Sequence, residues 1–172
     1  MVVQSLRKQR AMREIRIVGD PVLRTPAEPV TDFDRELRRL IDEMFEAMYA
    51  VEGVGLAGPQ IGVSRRLFVY DISGRKGHVI NPVLTVDDPE EVLDEEGCLS
   101  VPDRRTRRPI YATVGRASGV TVEGVDRLQR PVRVKARGSL ARCFQHETEH
   151  LDGRLYVDRL PRNEAREIML RT

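Results

Sequence analysis

Gln145-His146-Glu147-Thr148-Glu149-His150-Leu151-Asp152-Gly153 is the stretch on which the reading of this chain turns. Its glycine ends a segment with the grammar of a helix, from about Ser139 to Leu151, late in a chain whose preceding residues read mostly as extended. Residues four apart share a helix face, so His146 and His150 are expected on one side with Glu147 next to them. Two imidazoles able to reach one divalent metal beside a carboxylate make the layout of a metal-activated hydrolase. The chain has only three histidines, so a chance pair on an acidic surface helix is the weaker explanation of this spacing.

Outward from that helix, the other elements follow from periodicity. From Thr31 onward, Phe33, Leu37, Leu40, Ile41, Met44, Phe45 and Met48 recur at the spacing of one buried helical stripe. Thr31 or Asp32 is expected to cap its start, and Gly53, in a left-handed conformation, to stop it. A glycine-rich turn from Gly53 to Gly62 leads to an apolar strand, Leu67-Phe68-Val69-Tyr70. Further strands are expected at His78 to Asn81, around Val83 to Val86, over Gly119 to Val125 and at Pro131 to Lys135, with a last short helix after Pro161. Helix, several strands, then helix describes an α+β fold: antiparallel or mixed sheets packed around the central His146–His150 helix, with an N-terminal helix and a short C-terminal one. Residues 14–172 are expected to form one catalytic domain, preceded by a flexible basic segment, 1–13.

Composition bounds the function. At 172 residues the chain can bury a sizeable core, and 40% hydrophobic with 33% charged residues is ordinary for a globular protein. A balance of 29 basic against 27 acidic residues gives no ground for specific DNA binding. Two cysteines do not make a secreted disulfide framework, and no apolar run approaches a membrane span. The segment before Glu14 carries Arg7, Lys8, Arg10 and Arg13 but lacks the apolar stretch of a secretory signal, so a cytoplasmic protein is expected, with a mitochondrial targeting segment as the rival. Met12 is a second possible start.

A catalytic metal takes about three protein ligands and keeps one position open, so the histidines need a partner. Cys98, in Glu95-Glu96-Gly97-Cys98-Leu99-Ser100-Val101-Pro102, is expected to reach in from a loop. Cys143 competes from the helix itself, but it lies seven residues from His150, about 10.5 Å of helix rise, which strains three ligands on one ion. Geometry favours Cys98. The ligand types alone suit zinc, iron, cobalt or nickel.

Three segments taken together, Gly53-Val54-Gly55-Leu56-Ala57 through Gln60, Glu96-Gly97-Cys98-Leu99-Ser100, and Gln145 through Gly153, resemble in kind and order the three signature motifs of the peptide deformylases. The likeness extends from Glu14 to Leu160, through Arg16 to Arg24 at one end and Tyr156 to Leu160 at the other. It implies hydrolytic removal of the formyl group from the initiator formyl-methionine of nascent polypeptides, which would be the partners of this chain, with Cys98, His146 and His150 as metal ligands. It implies ferrous iron in the cell, with zinc, nickel or cobalt in purified protein. Glu147 would be the general acid and base, with Gln60 and the Leu99 backbone N–H steadying the oxyanion. Val54, Gly55 and Gly97 would offer backbone groups to an extended peptide, and Val54, the aliphatic stem of Arg142 and Cys143 would line the methionine pocket. An endopeptidase with the same helix motif, or a noncatalytic module with a structural metal, are the alternatives. The first is disfavoured by Cys98 and the second by Glu147 with Gln60.

Gly58 stands where the resembled family more often has alanine, and Glu149 where the metal helix varies. The segment Asp103 to Gly115 is roughly six residues longer than in many relatives, and Arg116 is aligned with the arginine that pairs with Glu96. Arg104, Arg105, Arg107 and Arg108 read foremost as a solvated loop, and the sharper expectation is transient contact with ribosomal RNA or an acidic surface near the nascent-chain exit. Ribosome cosedimentation after neutralising all four would test it, unchanged salt-insensitive binding removing the idea.

Overall fold

The computed structural model describes residues 13–172. The expected flexible segment and the alternative start at Met12 thus lie outside the described residues, except Arg13, whose Nε donates to Glu43 Oε2 at 2.7 Å. Helix α1 spans Arg35–Ala50 and buries Leu37, Leu40, Ile41, Met44, Phe45, Ala47 and Met48. Neither Thr31 nor Asp32 caps it: Asp34 does, its carboxylate accepting from Leu37 N at 2.8 Å. The left-handed residue after the helix is Glu52, φ 54°, rather than Gly53. At Gly53 a Cβ would come 2.9 Å from Leu99 Cδ1, so the tip of that leucine would have to shift.

The described strands form one antiparallel sheet whose spatial order equals chain order: β1 Gly55–Ala57, β2 Leu67–Ile72, β3 Arg75–Pro102, β4 Pro109–Val125 and β5 Pro131–Arg137. The two expected strands around residues 78–81 and 83–86 are parts of β3, which runs on without interruption to Pro102. Its ladder with β4 shifts register between Ile80 and Val83, Val86 and Asp88, Asp88 and Glu91, and Gly97 and Pro102. Such bulges bend a strand and accommodate a residue like Pro89 that has no N–H to donate. The polar run from Asp87 to Glu96 hid this strand from a hydrophobicity pattern, because most of it is exposed.

Helix α2, Gly138–Leu151, lies across the sheet. Phe144, Leu140 and Ala141 pack on Phe68, Tyr70, Val120 and Val122, with the Tyr70 and Phe144 rings edge to face at 4.9 Å. Its last carbonyl is met by Ala27 N at 2.9 Å and Arg66 Nη1 at 3.0 Å, and Gly153 turns the chain away at φ 72°. The short helix α3, Arg162–Arg171, follows as expected and packs Ile168 against Val101, Ile110, Val114 and Tyr156.

Candidate active site

Strand alternation and helix periodicity together assemble the site. On β3, Glu96, Cys98 and Ser100 face inward while Glu95 and Gly97 do not, so a carboxylate, a thiol and a hydroxyl line up on the face toward α2. Cys98 is therefore a strand residue, a correction to the loop expected for it. After Gly97 the strand leaves its β4 partner until Pro102, and Ser100 O accepts instead from Val18 N at 2.7 Å. This bulge aims Cys98 at α2, where its Sγ lies 3.3 Å from His150 Nε2; that nitrogen lies 3.2 Å from His146 Nε2. One ligand atom from each of Cys98, His146 and His150 falls within 4.8 Å of the others.

Cys143 stands apart from this cluster. Its thiol is buried, its pKa pushed up by burial and by the Glu147 and Glu96 charges, and it faces Gly55 across the groove.

Glu96 organises the histidine side. Its Oε1 lies 2.6 Å from His146 Nδ1, and Arg116 approaches in bidentate fashion, Nε to Oε2 at 3.0 Å and Nη2 to Oε1 at 2.5 Å. Burial alone would raise the Glu96 pKa, but the hydrogen bonds from His146 and Arg116 outweigh it and hold the carboxyl well below the usual range. The Arg116–Glu96 pair anticipated from the sequence is thus present. Burial holds His150 well below its ordinary pKa, in the neutral form that ligates metal, whereas Cys98 and Glu96 outweigh burial at His146 and raise it. The groups that attract a proton to His146 would equally attract a metal cation.

Glu147 is 4% exposed, and its Oε2 has no hydrogen-bond partner among the described residues. Burial is the chief reason that its pKa rises to about 7, where a carboxyl can both take and return a proton near neutrality. Gln60, on a 3-10 turn Gly58–Ile61, accepts from Ala57 N through Oε1 at 2.9 Å and directs Nε2 toward Ser100 Oγ at 3.1 Å and Cys98 Sγ at 3.8 Å. Ser100 escaped the sequence reading, although its place two residues after Cys98 puts it on the same strand face.

Gln60, Glu96, Cys98, Cys143, His146 and Glu147 lie on a groove of about 1100 Å³ whose lining also includes Val54, Gly55, Gly97, Leu99 and Arg142. The Arg142 guanidinium is turned out of it, donating to Glu96 Oε2 at 3.0 Å, Val114 O at 2.8 Å and Val92 O at 2.8 Å. That leaves the aliphatic stem for the groove. The Val54 carbonyl already accepts from Asp71 N at 2.9 Å.

A proton-exchanging carboxyl beside a thiol and two imidazoles, open to a peptide-sized groove, places the protein among the hydrolases. Known proteins narrow that class. The family profile of the polypeptide deformylases matches residues 12–166. The peptide deformylase of Acidothermus cellulolyticus is 51% identical over 150 residues, covering 87% of this chain and 79% of its own. The crystal structure of a peptide deformylase from Legionella pneumophila superposes with a TM-score of 0.86 at 43% identity, over 94% of this chain and 93% of that one. A Synechococcus elongatus peptide deformylase, solved in complex with actinonin, gives 0.84 at 38% identity over 94% and 88%. The chain belongs to the peptide deformylase family.

Proposed function

We propose that this enzyme removes the formyl group from the initiator formyl-methionine of nascent polypeptides, releasing formate, and that Cys98, His146 and His150 hold the divalent metal it uses. The observation that carries the reading is the buried cluster of Cys98, His146 and His150, of which Cys98 and His146 line the groove together with Glu147. Metal–nitrogen bonds of about 2.0–2.1 Å at tetrahedral angles place ligand nitrogens about 3.3–3.4 Å apart, close to the 3.2 Å between the two Nε2 atoms. A bound divalent ion would polarise water and the formyl carbonyl at this spot.

The protein's own groups supply the rest. Glu147 takes a proton from the attacking water and passes it to the leaving amine, which its buried, partly protonated carboxyl suits. The Gln60 amide, held through its oxygen by Ala57 N, offers its N–H groups to the developing oxyanion together with the Leu99 N–H. The extended peptide lies between Gly97 and the main chain of Val54 and Gly55, so recognition beyond methionine is largely blind to side chains. Methionine occupies the pocket bounded by Val54, the Arg142 stem and Cys143. Iron is the proposed metal in the cell on the likeness to the peptide deformylases, because a thiol and two imidazoles can hold zinc, iron, nickel or cobalt and do not themselves decide between them. No helix of the described residues is long and apolar enough to cross a membrane, in keeping with the cytoplasmic reading, and transient contact with the ribosome would bring the enzyme to its substrates.

The test is formate release from a formyl-methionyl tripeptide by anaerobically prepared, iron-loaded protein, run in parallel in air and with Glu147→Gln. Loss of the acid–base group should lower kcat by about 10²- to 10⁴-fold, and activity should decay faster in air. No release from folded, loaded protein would overturn the function, and equal half-lives with and without oxygen would overturn iron.

A further inference from the structure

Period-two alternation sends Ala112, Val114 and Arg116 of β4 inward together, so a guanidinium occupies a core position and is 1% exposed. A charge buried so deeply needs counter-charges. Glu96 supplies one through the bidentate pair already described. The remaining terminal nitrogen, Nη1, donates to Glu149 Oε2 at 2.7 Å. Glu149 precedes His150 on α2, and its other oxygen accepts from Arg159 Nε at 2.7 Å. A hydrogen-bonded chain thus runs from Arg159, 43% exposed on the 3-10 turn Tyr156–Arg159, through Glu149, Arg116 and Glu96 to His146.

The charges in this chain balance only with Glu149 present. Glu96 and Glu149 oppose Arg116 and Arg142, and Arg159 at the rim is screened by water. We propose that Glu149 is a positioning residue for the ligand His146: it takes up part of the Arg116 charge, leaves Glu96 a strong acceptor for His146 Nδ1–H, and keeps the hydrogen-bonded chain behind His146 electrically neutral. Without its charge, Arg116 would draw on Glu96 alone. His146 would then be held by a weaker acceptor, and a net buried positive charge would stand near a divalent cation. Both changes loosen the metal. The inference rests on the reading of Cys98, His146 and His150 as ligands.

A mechanical strut between α2 and the Tyr156–Arg159 turn is the competing account, and it makes a different prediction, because cutting the strut at Arg159 would then act like cutting it at Glu149. The experiment is the rate of zinc transfer from loaded wild type, Glu149→Gln, Glu149→Asp and Arg159→Ala to a colorimetric chelator. Circular dichroism would check the fold and the visible spectrum of cobalt-substituted protein would report the ligand field. Residues bonded directly to a ligand typically change metal affinity by about 10- to 100-fold; one step further out, Glu149→Gln should release zinc about three- to tenfold faster. Glu149→Asp should restore the rate to within about twofold, with Arg159→Ala equally close to wild type. Glu149→Ser serves as the neutral variant if the glutamine misfolds. A neutral variant matching wild type, or one matched by Arg159→Ala, overturns the proposal. Formate release by iron-loaded wild type separates the two readings: folded, iron-loaded wild type that yields no formate would discredit the deformylase activity and leave the charge balance to be judged on zinc release rates alone.

Discussion

A Cβ built on Gly55 would stand 2.5 Å from Glu147 Oε1 and 2.9 Å from Cys143 Sγ. No side chain fits there unless the carboxyl moves, so the sequence's glycine is where β1 closes on the proposed acid–base group, Glu147. Gly55→Ala is expected to displace Glu147 by a fraction of an ångström to an ångström and lower kcat by about 100-fold, a larger fractional loss than any change in folding stability. Steady-state formate release beside thermal melting checks this, and a wild-type kcat would mean that Gly55 does not set the position of Glu147. Gly58, unusual against the resembled family, has a similar cause, for a Cβ would meet Arg65 O at 2.6 Å. At this scale the clustering of Cys98, His146 and His150 near Glu147 and Gln60 was legible because each stands in a short motif whose chemistry is local. Glu149 was set aside as a variable position, and its place beside Arg116 could not be read, because that contact depends on how β4 lies across α2.

Among the elements, helices were more legible than strands. The stripe of α1 and the two histidines of α2 declare a period of 3.6 over many residues, whereas β3 interleaves buried and solvent-facing stretches and changes register four times against β4. Only the apolar pieces of β3 showed, and Cys98 was consequently assigned to a loop. His78, on β3, illustrates a contact between elements that periodicity does not announce: its Nε2 accepts from Arg127 N, in the turn between β4 and β5, at 3.0 Å. Burial and the Arg127 charge hold its pKa below the ordinary value, against the opposing pull of Asp126 and Asp42. The unfolded chain therefore takes up this proton first as pH falls. Stability from this group is complete above the unfolded pKa of about 6.5 and declines as pH drops through that value toward the lower folded one. Urea titrations of zinc-loaded protein between pH 7 and 5 should show a falling midpoint that flattens in His78→Gln. An equal slope in the two proteins would assign the effect to other groups.

For the molecule as a whole, the proposed metal joins parts of the chain that packing brings together at some cost. Cys98 lies on β3 and both histidines on α2, and their donor atoms crowd to 3.2–3.3 Å in a place where His150 Nδ1 and Glu147 Oε2 are buried without partners among the described residues. Desolvated donors at that spacing oppose folding unless a cation satisfies them. A ligand that binds only the folded state stabilises it by RT ln(1 + [L]/Kd), about 2.7–4.1 kcal/mol at 100 to 1,000 times Kd. For a chain of this length each kcal/mol is worth about 2–4 °C. Stripping the metal with a chelator should therefore lower the melting temperature by about 5–15 °C, and adding zinc should restore it in a concentration-dependent way. Calorimetry on samples of verified metal content decides it. A melting temperature indifferent to metal would mean that the hydrophobic packing of α2 on the sheet, led by Phe144 against Phe68 and Tyr70, holds the triad together unaided.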